Sequence, residues 1–580
     1  MSIFVIIEPA EKECDNVSEE KKRLPVGVEN FEQLIKDNYY YVDKTGLISE
    51  LLRNGGMVNL FTRPRRFGKT LNMSMMEHFF STEGDKNIFD GLEISKEKTL
   101  CEDYMGKYPV ISVSLKSINA ATYETAFAFA VEIIKEVTAR MQFLLESEQL
   151  SAYDKLEYQK LLNDNMSEAI FCSSLKKLSI LLEKHYRTKV ILLIDEYDVP
   201  LAKAFENGYY DQMIFLIRNL LEQALKTNNS LKFAALTGCM RISKESIFTG
   251  LNNFTTFTIT DVDFDEYFGF TDQEVHDLLT YYECTDKYEC MKEWYDGYRF
   301  GNVEVYCPWD VVSYLRSLRT NKEAVPQNYW VNTSGNAEVR EFIRQSKSAT
   351  TKREIEALME GEEIIKRVRP ELTYQDMYHS IENIWSVLFT TGYLTQAGVL
   401  DTQTYKLKIP NLEIRDIFKM QIMEYFKESV KRDGNMLSSF CDALKNGEES
   451  KVQEIFESYL KKTISIRDTF VRKAKKENFY HGILLGILGV KEGWGVFSNQ
   501  ETGEGYSDIL VETENSEMAI LIEVKYANND ETLEQACERA LKQVEERKYD
   551  QELRENGVDK ILKYGIACYM KRCKVKLSDL

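Results

Sequence analysis

The chain has 580 residues, with 74 Lys+Arg against 93 Asp+Glu and a formal charge of -19. That length predicts about three to five domains, and a content of 43% hydrophobic and 12% aromatic residues excludes wholesale disorder. The 9 Pro and 29 Gly exclude collagen-like and Pro-rich architectures, and no apolar run approaches the roughly 18 residues of a membrane span. Residues 1–22 read as a loose leader, whose apolar start lacks the basic region and cleavage site of a secretory signal. The 11 cysteines run from Cys14 to Cys573 without a C-x-x-C pair, which predicts reduced thiols and a cytoplasmic protein. Five dispersed histidines give no histidine-based metal site. The acidic balance argues against non-specific coating of nucleic acid and leaves a local site open.

From Leu24 the chain is densely patterned. Gly56–Thr62 reads as a buried strand, Leu71–Phe80 as a helix, and Tyr108–Leu115 as a second strand. Long amphipathic helices then reach about Lys184. The apolar runs Lys189–Ile194 and Leu231–Leu236 end in Asp195–Glu196 and Thr237–Gly238. Short apolar strands alternating with helices predict a parallel sheet covered on both faces. From about Tyr267 to Glu428 the texture is helical with aromatic punctuation, and Trp294, Trp309, Trp330 and Trp385 are expected in the core. A hairpin followed by a helix at about 380–425 predicts a winged-helix unit, which either reads DNA or docks the last block onto the first. Residues 431–580 then read as a separate α/β unit. It has a helix at Lys475–Leu488, strands at Trp494–Ser498, Asp508–Val511 and Met518–Ala527, a helix at Thr532–Tyr549, and a final strand at Ile561–Tyr569.

The turn Arg63-Pro-Arg-Arg-Phe-Gly-Lys-Thr70 lies at a strand-to-helix junction, where backbone N–H groups and the helix dipole favour phosphate. Gly68, Lys69 and Thr70 are the expected phosphate-loop residues, with Lys69 on the β/γ-phosphates and the Thr70 hydroxyl on Mg²⁺. Arg63 stands where the standard motif has its first glycine. Asp195 is placed to hold Mg²⁺ and Glu196 to polarise the attacking water. Thr237 is placed to sense the γ-phosphate. Arg241 is either a phosphate contact or a surface ion pair. Arg63, Arg65 and Arg66 would add positive charge around the loop, and Arg66 is counted with the nucleotide-binding set.

Four segments carry a resemblance: LPVGVENFEQLIKDNYYYVDKTGLI, FTRPRRFGKTLNMSMMEHFF, LLIDEYDVPL and TGCMRISKESIFTGLNNF. Together they resemble the AAA-ATPase-like family of bacterial proteins, over about residues 24–265. The resemblance implies a P-loop parallel-sheet domain that binds ATP through Gly68, Lys69 and Thr70, with Asp195 as the second acidic motif. It also brings Tyr41, Asp43, Lys44 and Thr45 toward the pocket, or, for Tyr41, into packing.

Near the C-terminus, Glu523 and Lys525 lie two apart on an apolar strand and so share a face. Asp508 on the neighbouring strand can converge on them. Two carboxylates and the Val524 carbonyl make an oxygen-rich site suited to Mg²⁺, where Lys525 would orient water for phosphodiester hydrolysis. Glu477 on the preceding helix and Gln543 on the following one complete the order, while a surface cross-strand pair is the bland alternative for Glu523 and Lys525. FYHGILLGIL, SNQETGEGYSDI, AILIEVKYA and ALKQVEERKY resemble the PD-(D/E)XK nuclease superfamily over about residues 475–570, although Ser507 replaces the proline before Asp508. The resemblance implies a restriction-endonuclease-like fold.

Residues 431–580 are close to charge balance, and Arg467, Arg472, Lys473, Lys475 and Lys476 form a basic cluster that either neutralises phosphates or is a solvated face. The expected organisation is a leader (1–22), an ATPase domain (23–266), a helical and winged-helix region (267–430) and a nuclease-like domain (431–580). The expected function is ATP-controlled, Mg²⁺-dependent cleavage of DNA, with RNA as the other substrate. Its rival is a nucleotide-dependent interaction switch whose nuclease fold binds without cleaving.

Overall fold

Residues 21–578 are described by a computed structural model, apart from 227, 241–253, 331–336, 347–348, 370–371, 373, 378–379, 433, 464–472, 490, 503–504, 514–517, 528, 530–531, 547–552 and 555–556. At some helix and strand positions, 473–476 and 505–508 among them, the backbone alone is described. The short apolar runs of the N-terminal half become the strands β1 (Val58–Thr62), β2 (Val110–Ser114), β3 (Val190–Asp195) and β4 (Leu231–Gly238). A strand absent from the sequence reading, β5 (Phe254–Phe257), completes a parallel sheet of order β2-β3-β4-β1-β5. Every residue of β1 and β3 is buried, as strands covered on both faces require.

Helices Tyr123–Ala139, Glu168–Tyr186 and Tyr210–Leu225 cover one face of this sheet. The other face packs on helix Lys69–Phe80, and its core does not stop at the expected boundary near residue 266. Phe61, Met76 and Leu193 share one hydrophobic cluster with Tyr298, Phe300, Trp330, Trp385, Leu388, Leu407 and Ile414. The middle region is therefore built onto the sheet.

That region contains two small antiparallel sheets. One has β6 (Phe270–Thr271), β7 (Tyr298–Phe300) and β8 (Val303–Tyr306) in the order β6-β8-β7. The other has β9 (Ile364–Arg367), β10 (Thr395–Val399) and β11 (Thr404–Lys408) in the order β10-β11-β9. Helix Ile381–Thr390, the β10–β11 hairpin and helix Leu412–Arg432 follow one another as the sequence suggests, and β9 is the unforeseen third strand. Helix Leu412–Arg432 also packs against helix Lys473–Leu488 of the last block.

The C-terminal unit contains β12 (Gly495–Thr502), β13 (Gly505–Glu512), β14 (Met518–Tyr526), β15 (Lys560–Tyr569) and β16 (Arg572–Leu577), side by side in that order. Only β14 and β15 are parallel, and helix Leu533–Glu546 makes the crossover such a pair needs. The sequence reading ended at β15; β16 adds a hairpin edge. Every described cysteine is a free thiol. Among the described residues no helix is long and apolar enough to cross a membrane.

Candidate nucleotide-binding and nuclease sites

The loop after β1 turns into helix Lys69–Phe80 through Gly68, which has φ 80° and ψ 11°. This left-handed backbone is nearly free for glycine and costly for other residues. Thr70 Oγ1 donates to Asp195 Oδ2 at 2.8 Å, joining the loop to the tip of β3. Because β4 lies between β1 and β3, its tip enters the same cluster, and Thr237 Oγ1 donates to Asp195 Oδ1. Lys69 is buried, and its Nζ donates to the carbonyls of Arg63 and Pro64 at 3.0 and 2.8 Å and lies 3.7 Å from Cys239 Sγ. Gly68, Lys69, Thr70, Asp195 and Thr237 are therefore brought together.

Glu196 follows Asp195 with φ 51°, an uncommon conformation for a residue with a side chain. The bend lets the Glu196 N–H donate to Thr237 Oγ1 at 3.3 Å and the Tyr197 N–H to the Thr237 carbonyl at 3.1 Å. Burial raises the Glu196 carboxyl above its ordinary value, against the opposing pull of Lys69. A group that holds its proton more readily suits proton acceptance from water.

Asp198, which ends the acidic run Asp195-Glu196-Tyr197-Asp198, is a residue of this cluster that the sequence does not single out. It is buried, and Oδ2 accepts from the N–H groups of Cys239 at 2.8 Å and Met240 at 3.0 Å. Burial raises its pKa as well. Tyr197 OH donates to the Met240 carbonyl at 2.6 Å, so the loops after β3 and β4 are zipped together.

Two expectations need correction. Arg63 adds no charge at the phosphate face. It is wholly buried, with Nη1 donating to the carbonyls of Thr62 (3.0 Å) and Phe257 (2.8 Å) and Nη2 to that of Phe264 (3.0 Å). Burial lowers its pKa to about 10. The YVDKT segment likewise turns to structural bonds: Lys44 Nζ pairs with Glu274 at 2.6 Å and donates to the Glu266 carbonyl at 2.7 Å. Asp43 Oδ2 accepts from the Glu93 N–H and Thr45 Oγ1 from the Ile94 N–H, while Tyr41 packs, as the sequence allows, edge-on to Phe31 with its OH 3.3 Å from Met75 Sδ. Arg66 lies in the loop with its guanidinium over Trp309, 4.2 Å from the ring centre. Arg241 lies outside the described residues.

In the C-terminal unit, Glu523 and Lys525 share the same face of β14, as the strand period demands. The Glu523 side chain is 1% exposed, and its Oε1 accepts from Lys525 Nζ at 3.1 Å and from Gln543 Nε2. Glu477 reaches in from helix Lys473–Leu488, with Oε2 3.7 Å from Lys525 Nζ and Oε1 accepting the Tyr526 N–H at 3.4 Å. The bland cross-strand surface pair is thereby set aside, since Glu523 is buried. Val524 is buried and pairs with Ile566 of β15. Asp508 belongs to β13 next to Ile509, which pairs with Ile522 beside Glu523, but its side chain lies outside those described. Among the described residues no three His, Cys, Asp or Glu side chains form a metal-binding group. The basic cluster also falls outside: Arg467 and Arg472 are not described, and Lys473, Lys475 and Lys476 are described by backbone alone.

Residues 25–248 match the family model described as a predicted AAA-ATPase, and residues 475–577 match that of the PD-(D/E)XK nuclease superfamily. The chain joins an AAA-ATPase-like domain to a PD-(D/E)XK nuclease superfamily domain. The chain is also 25% identical over 511 residues to an uncharacterized protein in the vnfD 5′ region of Azotobacter chroococcum mcd 1, covering 85% of this chain and 87% of that one. Similarity on that scale extends beyond the two matched segments into the middle region. In the AAA-ATPase-like domain, Thr70 and Asp195 offer the hard oxygen donors that Mg²⁺ takes, next to a lysine suited to polyphosphate. In the nuclease domain, the Glu523 and Glu477 carboxylates beside Lys525 also fit a hard divalent cation and an anionic substrate.

Proposed function

We propose that this protein binds and hydrolyses ATP with Mg²⁺ in its AAA-ATPase-like domain, and that nucleotide state controls phosphodiester hydrolysis by its nuclease domain on DNA or RNA. The observation that carries the reading is the convergence of Lys69, Thr70, Asp195 and Thr237 from three adjacent strand ends, in a chain that also gathers Glu477, Glu523, Lys525 and Gln543.

Lys69 is the cation for the β- and γ-phosphates, and its bonds to loop carbonyls are the ones a phosphate would replace. Thr70 and Asp195 would hold Mg²⁺, which supplies charge neutralisation on the phosphates. Glu196, its proton affinity raised by burial, accepts the proton of the attacking water, and Thr237 fixes the Asp195 carboxylate. In the nuclease domain Glu523, Glu477, Asp508 and the Val524 carbonyl would hold a divalent cation, whose chemistry is to lower the pKa of water and polarise the phosphate. Lys525 orients water and offsets charge on the scissile phosphate, and Gln543 fixes the Glu523 carboxylate.

The test is a nuclease assay on single- and double-stranded DNA and RNA, with Mg²⁺ or Mn²⁺ and with or without ATP. Wild type is compared with Lys69→Ala, Glu523→Ala and Lys525→Ala. Cleavage that requires Glu523 and Lys525 and responds to ATP only when Lys69 is present supports the reading. Nucleic-acid binding without cleavage in wild type favours the interaction switch instead.

A further inference from the structure

The phosphate-binding loop lacks the glycine that usually frees its first turn, and the middle region touches it at every residue from 63 to 67. Arg63 is anchored to the Phe264 carbonyl and stacks 5.5 Å from the Phe300 ring. A Cβ on Gly392 would come within 2.9 Å of Pro64, so these chains are in close contact. Trp330 Nε1 donates to the Arg65 carbonyl at 3.4 Å, and Cys307 Sγ lies 3.8 Å from the Arg66 carbonyl as its donor. Trp309 carries the Arg66 guanidinium on its face, and Phe67 packs edge-on to Tyr298 at 5.0 Å.

Peptide geometry gives these contacts a direction. In a trans peptide the C=O of one residue and the N–H of the next point opposite ways. Fixing the Arg65 and Arg66 carbonyls toward the middle region therefore turns the N–H groups of Arg66 and Phe67 the other way. At the start of the loop the Arg63 N–H is bonded to the Gly238 carbonyl at 3.1 Å, and Pro64 has none. Arg66 is also held at φ 71°, a conformation the loop alone does not favour.

We propose that Trp309 and Trp330, with Cys307, are positioning residues for the phosphate-binding loop, so that the middle region completes the nucleotide site in place of the missing glycine. Glu413 supports this clamp, since its Oε1 accepts the Trp330 N–H at 2.7 Å, and the Trp309 indole is tied to the Tyr329 carbonyl at 3.3 Å. The inference rests on the nucleotide-binding reading above and goes beyond it, because it assigns part of that site to residues outside the matched segment 25–248.

The test is calorimetric titration of the full chain with ATP and Mg²⁺, paired with melting temperatures measured without nucleotide. Trp330→Phe keeps an aromatic side chain and removes the donor; Trp309→Leu removes the stacking face. Each is expected to weaken ATP about 3- to 10-fold, the loss of one hydrogen bond to the loop for Trp330 and of one cation–π contact for Trp309, with the melting temperature within a few degrees of wild type. Trp294→Phe, a middle-region tryptophan that packs on Tyr295, is expected to bind as wild type. Unchanged affinity in both clamp variants overturns the inference while leaving the nucleotide reading intact. A wild type that does not bind ATP overturns both. Should Trp330→Phe fail to fold, the partly exposed Trp309 decides the question.

Discussion

Arg63→Gly would restore the standard phosphate-loop spacing, and the structure predicts that it damages the protein. The side chain makes three charge-assisted bonds, to Thr62, Phe257 and Phe264 carbonyls. At about 1.5–3 kcal/mol each, their loss amounts to roughly 5–9 kcal/mol. Against this stands the cost of keeping the cation buried. Burial lowers its pKa from the ordinary guanidinium value to about 10, a fall that corresponds to roughly 3 kcal/mol. Glycine adds back about 1 kcal/mol of backbone entropy cost, and the contacts with the Phe268 and Phe300 rings are lost as well. The net expectation is about 3–7 kcal/mol of destabilisation, centred where β5 and the Phe264 turn meet the loop. Urea unfolding followed by circular dichroism, with ATP affinity measured on the folded variant, checks it. A variant with an unchanged or higher urea midpoint would refute the structural role assigned to Arg63, and tighter ATP binding would show that the loop wants its glycine after all.

Three further outcomes follow from the same geometry. Thr237→Val removes the donor to Asp195 and the acceptor of the Glu196 N–H, so stability should fall by about 1–2 kcal/mol in thermal unfolding and ATP turnover should fall more than ATP affinity. Gly392→Ala places a Cβ at 2.9 Å from Pro64 on a backbone with φ 92°; a melting temperature lowered by several degrees, equivalent to about 1–3 kcal/mol, is expected, and no change would mean the contact is slack. The buried neighbours Asp310 and Glu413 provide a pH prediction. Burial raises both carboxyls, and the Asp310 carboxylate raises Glu413 further; hydrogen bonds to Cys307 and Glu413 and the charge of Arg66 oppose the rise at Asp310, and the Trp330 N–H opposes it at Glu413. A raised folded pKa means the native state binds more protons than the unfolded chain, so stability is greatest below about pH 4 from this pair and declines as pH rises toward the raised values. Glu413→Gln should flatten that decline in a melting-temperature series from pH 5 to 9; an equally steep decline would contradict it.

Much of the architecture is visible in one dimension. Val58–Thr62, Val190–Asp195 and Leu231–Gly238 are short and mostly apolar because both faces of a parallel strand are covered; the buried Asn59 is tolerated since its amide bonds the Gly56 and Ala234 carbonyls, and the other buried polar side chains of these strands stand at or near their C-terminal ends. Asp195, Thr237 and the Gly68-Lys69-Thr70 turn therefore stand out in the sequence. The two-residue period of β14 likewise puts Glu523 and Lys525 on one face from the sequence alone. Tertiary structure alone decided which charges are solvated. Arg63 and Arg66 are three residues apart in one basic run, yet one is sealed beneath Phe257 and Phe264 and the other lies against Trp309, because burial depends on chain segments about 200 residues further on. β5 and β16 escaped notice since a strand of four residues, or one added as a hairpin edge, carries little periodicity of its own. The bonds of Asp198 to the Cys239 and Met240 N–H groups, of Trp330 to the Arg65 carbonyl and the seat of the Arg66 guanidinium on Trp309 join segments distant in sequence, which no spacing rule encodes.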